Sequence, residues 1–277
     1  MENESKVRKL KVFDTTLIDA EKNSRDPLRV DEKLVLAKRI DKVGVDVIEA
    51  GFPKSSNAEK TAVRIIATDG LDAEVCAIAR PRKNEIRILE DMGINYVHLY
   101  FPSSDYFLRK NFGIRQKDAL KEINELISFS KMHKMKVEFS AQDATRTDMD
   151  FLKIFCRVAE LAGADRINID DTTSYAIPED IHKIIYEIKT IINLPLSISC
   201  HNHFGLAVEN TISGIKAGAE CAHLSIKGLG EEIGNASLEG VISYIEFLNT
   251  ENEIFTIINL NEVYTTSKLI SELHGTR

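Results

Sequence analysis

The chain has 277 residues, of which 43% are hydrophobic, and its formal net charge is -7. This length suits one large domain, and the negative charge argues against a surface that binds nucleic acid or an anionic membrane. No apolar run reaches the roughly 18 residues of a membrane span, and the charged start of the chain is unlike a signal peptide. The four cysteines form no C-x-x-C pair, which favours a reduced, cytoplasmic protein.

Short apolar runs alternate with amphipathic stretches along the whole chain. The stretches predict helices, the clearest of which covers residues 178–193 and carries six isoleucines on one face. Several helices end in a glycine directly before the next strand, as at Gly44 and Gly163. The apolar runs predict eight strands, over residues 8–13, 46–50, 75–79, 96–101, 136–140, 166–169, 196–200 and 223–226.

Eight strand–helix units in series predict an α/β fold, a closed (β/α)8 TIM barrel over residues 1–249. The remaining residues, 250–277, are predicted to form a helical tail. A doubly wound open sheet is the alternative fold. It requires a glycine-rich dinucleotide loop after the first strand, and residues 13–17 do not form one.

Polar residues collect at the predicted carboxyl ends of the strands, where barrels of this kind carry their chemistry. Burying so many polar groups is costly without a purpose. These residues are therefore candidate site residues. They include Asp14, Thr15, Thr16, Asp19, Glu49, Arg80, His98, Gln142, Asp143, Arg146, Asn168, Asp170, Asp171, Thr172, His201, His203 and Asn235.

The distribution of acids and histidines predicts a divalent metal ion. Acidic residues follow the first, fifth and sixth strands, and histidines follow the seventh. His201 and His203 are two residues apart, so on a strand both side chains point the same way. Carboxylates together with such a pair suit a divalent cation.

Simpler interpretations of these polar residues stay open. Asn235 is also placed to cap a helix over residues 236–248. Asp14 and Asp171 are short acids that also suit bonds to loop backbone alone. His98 also fits a hydrogen-bonded histidine inside the barrel.

Six segments are similar to motifs of one known family. Residues 13–22 (FDTTLIDAEK) resemble F-D-T-T-L-R-D-G-E-Q, residues 139–146 (FSAQDATR) resemble F-S-A-E-D-A-T-R, and residues 168–172 (NIDDT) resemble N-I-P-D-T. Residues 49–53 (EAGFP), 205–210 (GLAVEN) and 228–237 (GLGEEIGNAS) look like the other motifs. Together they resemble the 2-isopropylmalate, homocitrate and citramalate synthases. These belong to the metal-dependent barrel superfamily that also holds 3-hydroxy-3-methylglutaryl-CoA lyase.

The resemblance implies a Claisen-type condensation of acetyl-CoA with a small 2-oxo acid. A divalent ion (magnesium, manganese or zinc) then acts as Lewis acid and template. Family members are commonly dimers, so a homodimer is expected. The candidate site comprises metal ligands Asp19, His201, His203 and Asn235, catalytic residues Glu49, Asp143 and Thr172, and substrate-binding residues Arg80, His98, Arg146 and Thr172.

Four departures from the family motifs fall on reacting groups. The arginine of the first motif is Ile18, which cannot stabilise an oxyanion, and such a loss typically costs about 10²–10³ in rate. The glutamate of the fifth strand is Gln142, which cannot take up a proton. One histidine of the family's H-x-H-N-D is Ser199, while a new histidine stands at His203. The arginine of the last motif is Glu232.

Different functions follow from these departures. In one, His203 replaces the missing ligand, and the metal position and chemistry change. In another, the metal site is lost and the barrel binds a small acid or a partner without turnover. A lyase or aldolase that uses no CoA is a third possibility, since it needs no lid over acetyl-CoA. The synthases usually continue into such a helical lid, so the chain is expected to be either truncated or a barrel-only protein.

Overall fold

Eight parallel strands close into a barrel in the computed structural model, which describes residues 7–22, 27–230, 234–247 and 254–275. Each barrel strand pairs with its neighbours in chain order, and the last pairs with the first. The predicted (β/α)8 barrel is therefore confirmed, and the open doubly wound sheet is wrong. The barrel strands are β2 (Lys11–Asp14), β3 (Val47–Glu49), β4 (Glu74–Ala79), β5 (Tyr96–Pro102), β6 (Lys136–Gln142), β7 (Arg166–Asp171), β8 (Leu196–Cys200) and β9 (Cys221–Leu224).

Helices follow the strands and cover the outside of the barrel. The isoleucine face of the clearest predicted helix is buried, as at Ile181 and Ile185. Gly44 and Gly163 both adopt positive φ where a helix turns into the next strand. The helices are α1 (Thr16–Lys22), α2 (Val30–Val43), α3 (Asn57–Thr68), α4 (Lys83–Asp91), α5 (Asp105–Phe107), α6 (Gln116–Met132), α7 (Met149–Leu161), α8 (Pro178–Lys189), α9 (Ala207–Ala217), α10 (Leu238–Phe247) and α11 (Leu260–Gly275).

The predicted first strand, residues 8–13, is two strands. Arg8–Lys9 forms β1, which pairs in parallel with β10 (Ile254–Phe255) outside the barrel. The chain enters the barrel only at Lys11, after the fully buried Leu10. The charged residues Arg8 and Lys9 at its start therefore belong to a small separate sheet outside the barrel.

The predicted helical tail contains a strand as well as a helix. Residues 254–255 form β10, and the helical part is α11. Residues 250–253 and 276–277 lie outside the described residues. Helix α11 packs against α2 on the side of the barrel. No helix in the described part of the chain is long and apolar enough to span a bilayer.

Candidate active site

A cavity of about 510 Å³ lies at the carboxyl ends of the barrel strands. This volume falls within the range of about 300–1,000 Å³ that is usual for small-molecule sites. Because alternate residues of a strand face the interior, much of the lining comes in pairs two residues apart. Four strands supply such pairs, which are His98 and Tyr100, Ser140 and Gln142, Asn168 and Asp170, and Ser199 and His201.

Asp19 and Asn235 meet at one side of this cavity. Asn235 Nδ2 donates to Asp19 Oδ2 at 2.8 Å, and the hydroxyl of Thr15 donates to the same oxygen at 2.6 Å. The backbone of Asn235 forms an antiparallel bridge with His201, which fixes the two residues side by side. Asn235 Oδ1 is buried and has no hydrogen-bond partner. An unpaired buried acceptor oxygen is costly and suits a cation ligand.

Asp170 and His201 face each other across two neighbouring strands. His201 Nε2 lies 3.8 Å from Asp170 Oδ1, which is too long for a hydrogen bond. Asp170 Oδ1 is buried without a hydrogen-bond partner, whereas Asp170 Oδ2 accepts a bond from the Thr172 hydroxyl at 2.7 Å. Thr172 Oγ1 in turn accepts a bond from the Asp143 amide at 2.8 Å. Thr172 therefore fixes the orientation of the Asp170 carboxylate.

The structure does not bring His203 to the cavity. Strand β8 ends at Cys200, and His203 lies in the turn that follows. Its Nδ1 is 3.0 Å from the hydroxyl oxygen of Ser174. The prediction that His201 and His203 share one strand face is wrong, because pairing beyond β8 is a single bridge at His201 and the chain turns before His203.

The remaining predicted ligands fit a divalent ion in an incomplete way. No three His, Cys, Asp or Glu side chains among the described residues are close enough to hold a metal. Asp19, His201 and Asn235 nevertheless offer a carboxylate, an imidazole and an unpaired amide oxygen at one cavity. Two of these three donors are oxygens, as hard cations such as magnesium and manganese prefer.

A buried pair of Glu49 and His98 lines the same cavity. His98 Nδ1 is 2.5 Å from Glu49 Oε1, and His98 Nε2 is 2.6 Å from Ser140 Oγ. Burial disfavours a charged ring, but the Glu49 carboxylate outweighs this effect and raises the pKa of His98 above its usual value. Both ring nitrogens bond to protein groups, as expected of an interior histidine. The pair can therefore hold a proton at the wall of the cavity.

Two predicted substrate-binding arginines do not line the cavity. Arg80 Nε donates to Glu85 at 2.9 Å, and its guanidinium lies over the ring of Phe52. Arg146 forms a forked pair with the fully buried Asp143, at 2.8 Å for its closest contacts. Both guanidinium groups are occupied by carboxylates, so their predicted contact with substrate has no support in this geometry.

Three of the four departures from the family motifs line this cavity. They are Ile18, Gln142 and Ser199, whereas Glu232 lies outside the described residues. Among the described lining residues there is no lysine or arginine. There are five carboxylates, from Asp19, Glu21, Glu49, Glu59 and Asp170. The replacements and the surplus of carboxylates together change the charge of the wall.

Of the simpler interpretations, helix capping by Asn235 is wrong, and loop bonding by Asp14 and Asp171 is confirmed. Helix α10 begins at Leu238, and an amide of its first turn donates to Ser237 Oγ, so Asn235 does not cap it. Asp14 accepts bonds from the amide and hydroxyl of Thr16. Asp171 accepts a bond from a loop amide at 3.0 Å. Both acids therefore bond to loop groups, as that interpretation held.

Asn168 and Asp170 were predicted site residues without individual roles, and Ser140 was not predicted. Asn168 donates to Ser140 Oγ at 2.8 Å, and both side chains are nearly fully buried in the floor of the cavity. The sequence contains a pattern that predicts this placement, because polar residues two positions apart on a buried strand lie on the same face.

Comparison with known proteins agrees with this architecture. Residues 9–270 match the model of the HMGL-like family. The chain is 40% identical over 261 residues to a 2-isopropylmalate synthase from Methanocaldococcus jannaschii, covering 94% of this chain and 50% of the relative. It is 35% identical to a homocitrate synthase from Methanothermobacter thermautotrophicus, covering 95% of this chain and 67% of the relative. The chain thus spans about half the length of several of its curated relatives.

A solved structure of similar shape is the hydroxymethylglutaryl-CoA lyase from Pseudomonas aeruginosa. The two share a TM-score of 0.85 at 18% identity, over 98% of this chain and 95% of the lyase. At this identity the likeness establishes the barrel fold alone. The matched family model, together with the synthase relatives, shows that this chain belongs to the HMGL-like family.

Proposed function

We propose that this barrel catalyses the condensation of acetyl-CoA with a 2-oxo acid. One observation carries the proposal: Asp19, His201 and Asn235 converge at a cavity of the right size at the carboxyl ends of the barrel strands. The relatives named 2-isopropylmalate and homocitrate synthase support the same reaction class. Because the chain spans only part of those relatives, the activity of this chain is our proposal.

Asp19, His201 and Asn235 would hold a divalent ion. When bound, such an ion polarises the ketone oxygen of a 2-oxo acid and orients its carboxylate. The residues of the chain then have separate tasks. The Thr15 hydroxyl holds the Asp19 carboxylate, and the bridge between His201 and Asn235 fixes their spacing. The phenolic face of Tyr100 and the amide of Gln142 bound the rest of the cavity.

Glu49 and His98 would take the proton from the methyl group of acetyl-CoA. Gln142 stands where the family motif has a glutamate, and an amide cannot accept a proton. The pair of Glu49 and His98 is buried, lines the cavity and has a raised imidazole pKa. Both ring nitrogens of His98 already bond to Glu49 and Ser140, so the Glu49 carboxylate would accept the proton while His98 holds that carboxylate in place. Ser140 bonds to the second ring nitrogen and fixes the ring.

The wall around Ile18 predicts a slow reaction. An aliphatic side chain offers no hydrogen bond to an oxyanion, and the loss of one such donor costs on the order of 10²–10³ in rate. No lysine or arginine among the described lining residues replaces it. The same observation favours a second function, in which the barrel cleaves a carbon–carbon bond without CoA or binds a small acid without turnover.

The test is a CoA-release assay with acetyl-CoA and three 2-oxo acids: pyruvate, 2-oxoisovalerate and 2-oxoglutarate. Each is run with magnesium, manganese or zinc, and Asp19→Asn is the inactive control. We expect CoA release that depends on one 2-oxo acid, on added metal and on Asp19. Release that does not depend on Asp19, or none with any acid while the protein binds an ion, would contradict the proposal. In the second case the same samples are incubated with 2-isopropylmalate or homocitrate, and a new 2-oxo acid product would establish the cleavage reaction.

A further inference from the structure

A carboxylate lies beside the position where the family motif has a histidine and this chain has Ser199. In the parallel pairing of β7 and β8, Asp170 lies directly opposite Ser199. Asp170 is also the residue by which segment 168–172 (NIDDT) departs from N-I-P-D-T. One strand has therefore lost an imidazole at the level where the adjacent strand carries an additional carboxylate.

We propose that Asp170 is a metal ligand, and that the site consists of Asp19, Asp170, His201 and Asn235. This inference rests on the proposed function, since it concerns the ion that function requires. All four side chains line the cavity. His203, the substitute that the sequence suggested, does not line it and bonds to Ser174 instead.

The contacts of Asp170 favour ligation over a simple ion pair with His201. Two ligand atoms that each lie about 2.1 Å from one ion are about 3 to 4 Å apart, depending on the coordination geometry. The 3.8 Å between Asp170 Oδ1 and His201 Nε2 fits that spacing and is too long for a direct hydrogen bond. A histidine and an aspartate with only each other to bind would close this gap.

The unpaired oxygens point to the same conclusion. Three oxygens are buried, belong to residues that line the cavity and lack a hydrogen-bond partner: Asn168 Oδ1, Asp170 Oδ1 and Asn235 Oδ1. Buried acceptors in native proteins are nearly always satisfied, so three in one cavity indicate a missing donor or cation. The described side chains are not yet gathered into a group of three acidic or histidine ligands. A bound ion would therefore have to draw these side chains closer together.

Thr172 acts as a positioning residue for this ligand. Its hydroxyl donates to Asp170 Oδ2 and leaves Oδ1 as the atom directed at His201. The amide of Asp143 fixes the hydroxyl from behind. Partners that orient a ligand in this way typically contribute a factor of about 10–100 in metal affinity.

The proposed set also predicts which metal binds. Two carboxylates and an amide supply three oxygen donors, and His201 supplies one nitrogen. Oxygen-rich sites favour magnesium and manganese, whereas sites with more imidazole bind zinc more readily. The exchange of an imidazole for a carboxylate therefore shifts the preference of this site towards manganese.

The test is the titration of metal-stripped protein with manganese, followed by calorimetry and by loss of the free-ion signal in electron paramagnetic resonance. Asp170→Asn keeps the shape of the side chain and removes its charge. We expect it to weaken manganese binding on the order of 100-fold, and Thr172→Val to weaken it about 10-fold. His203→Ala is the matched control and should bind like the wild type. Melting curves without metal show whether each variant is folded.

A double variant keeps the test decisive if Asp170→Asn is poorly folded. Asp170→Asn with Ser199→His moves the ligand back to β8, and we expect it to regain binding with a preference for zinc. If Asp170→Asn binds manganese like the wild type while Asp19→Asn does not, Asp170 is not a ligand and the proposed function stands. If His203→Ala loses binding and Asp170→Asn keeps it, the substitute is His203. If the folded wild type binds no divalent ion, the metal-dependent function itself is wrong.

Discussion

Replacing Lys33 by methionine tests how the wall beside the cavity is stabilised. The Lys33 side chain is fully buried, and its Nζ lies 2.6 and 2.7 Å from the two carboxylate oxygens of Glu59. It is also 3.3 Å from Glu21. Glu59 in turn accepts the amide of Phe52 at 2.8 Å, which holds the loop after β3 against the cavity. One buried cation therefore serves two carboxylates and a wall of the site.

Lys33→Met leaves both carboxylates without a cation. Breaking a buried ion pair on one side typically costs about 3–5 kcal/mol, so we expect a loss of that size in the free energy of unfolding at pH 8. Burial raises the pKa of Glu21, and the charge of Lys33 partly offsets this rise. Removal of the lysine charge should therefore raise the pKa of Glu21 further. A carboxyl group with a raised folded pKa stabilises the protein at low pH and loses this effect as the pH rises. The cost of Lys33→Met should therefore be smaller at pH 5 than at pH 8.

Urea unfolding followed by circular dichroism measures this cost at both pH values. Lys38→Met is the matched control, since Lys38 lies on the same helix, is half-exposed and pairs with Asp69 at 3.0 Å. Such a surface pair contributes about 0–1 kcal/mol. The reasoning is wrong if the two variants lose equal stability, or if the cost of Lys33→Met does not fall at acid pH.

Three further outcomes are expected. Gly51→Ala should lower the melting temperature more than Gly70→Ala. Both glycines have positive φ, so both substitutions strain the backbone. A Cβ added at Gly51 would also lie 1.9 Å from Glu59 Oε1, whereas one at Gly70 has no atom within 4 Å. Equal shifts would show that backbone strain, about 1–3 kcal/mol, is the whole effect. Glu49 raises the pKa of His98 in the folded protein above its value of about 6.5 in the unfolded chain. The stabilisation by His98 is therefore complete below about pH 6.5 and is lost as the pH rises through the folded pKa. The stability difference between wild type and His98→Asn should therefore shrink from pH 6 to pH 9, and a flat or growing difference would contradict this. All four cysteines are buried, and burial raises the pKa of their thiols, so native protein should not react with a thiol reagent that reacts fully after unfolding. Fast labelling of the native state would contradict this assignment.

The barrel was predictable because its signals are local. A strand buried on both faces reads as a continuous apolar run, and an outer helix reads as an apolar face at a period of 3.6. The isoleucine face of α8 and the glycine at the end of α2 are such signals, and both are confirmed, although α8 ends at Lys189, before Ile191 and Ile192. The first strand failed because Arg8 and Lys9 pair with β10, which is more than 240 residues away in the chain. No local pattern reports a partner at that distance.

The candidate site divides in the same way. Residues at the end of a barrel strand or directly after it, such as Glu49 and His201, reach the cavity because the strand carries them there. Arg80 and Arg146 follow strands too, but each lies beside a carboxylate that takes its guanidinium away from the cavity. The prediction for His203 is wrong for a different reason, because β8 ends before this residue. Spacing in the sequence cannot show where pairing stops or which partner a long side chain will choose.

The replacement of a ligand on one strand by a ligand on the next strand cannot be read from a single sequence motif. Asp170 and Ser199 belong to different motifs, and their relation follows from the register of β7 and β8. Within its own motif, Asp170 is only an additional acid, and Ser199 is only a missing ligand. Read separately, the two changes indicate a damaged site, whereas their adjacency indicates a site that has exchanged one donor for another.

The charge of the cavity explains why such an exchange matters for function. Five carboxylates line it, and the buried Lys33 behind the wall is paired with only two of them, Glu21 and Glu59. An anionic 2-oxo acid would meet a repulsive wall in the absence of an ion, because like charges at short range destabilise each other in a partly buried site. A carboxylate in place of an imidazole ligand adds to that repulsion without the ion and strengthens the hold on a hard cation. Under the proposed function, binding of the acid should therefore depend on prior binding of the metal. Ile18 extends this dependence to the reaction itself, since it leaves no guanidinium to take over the charge that develops on the ketone oxygen.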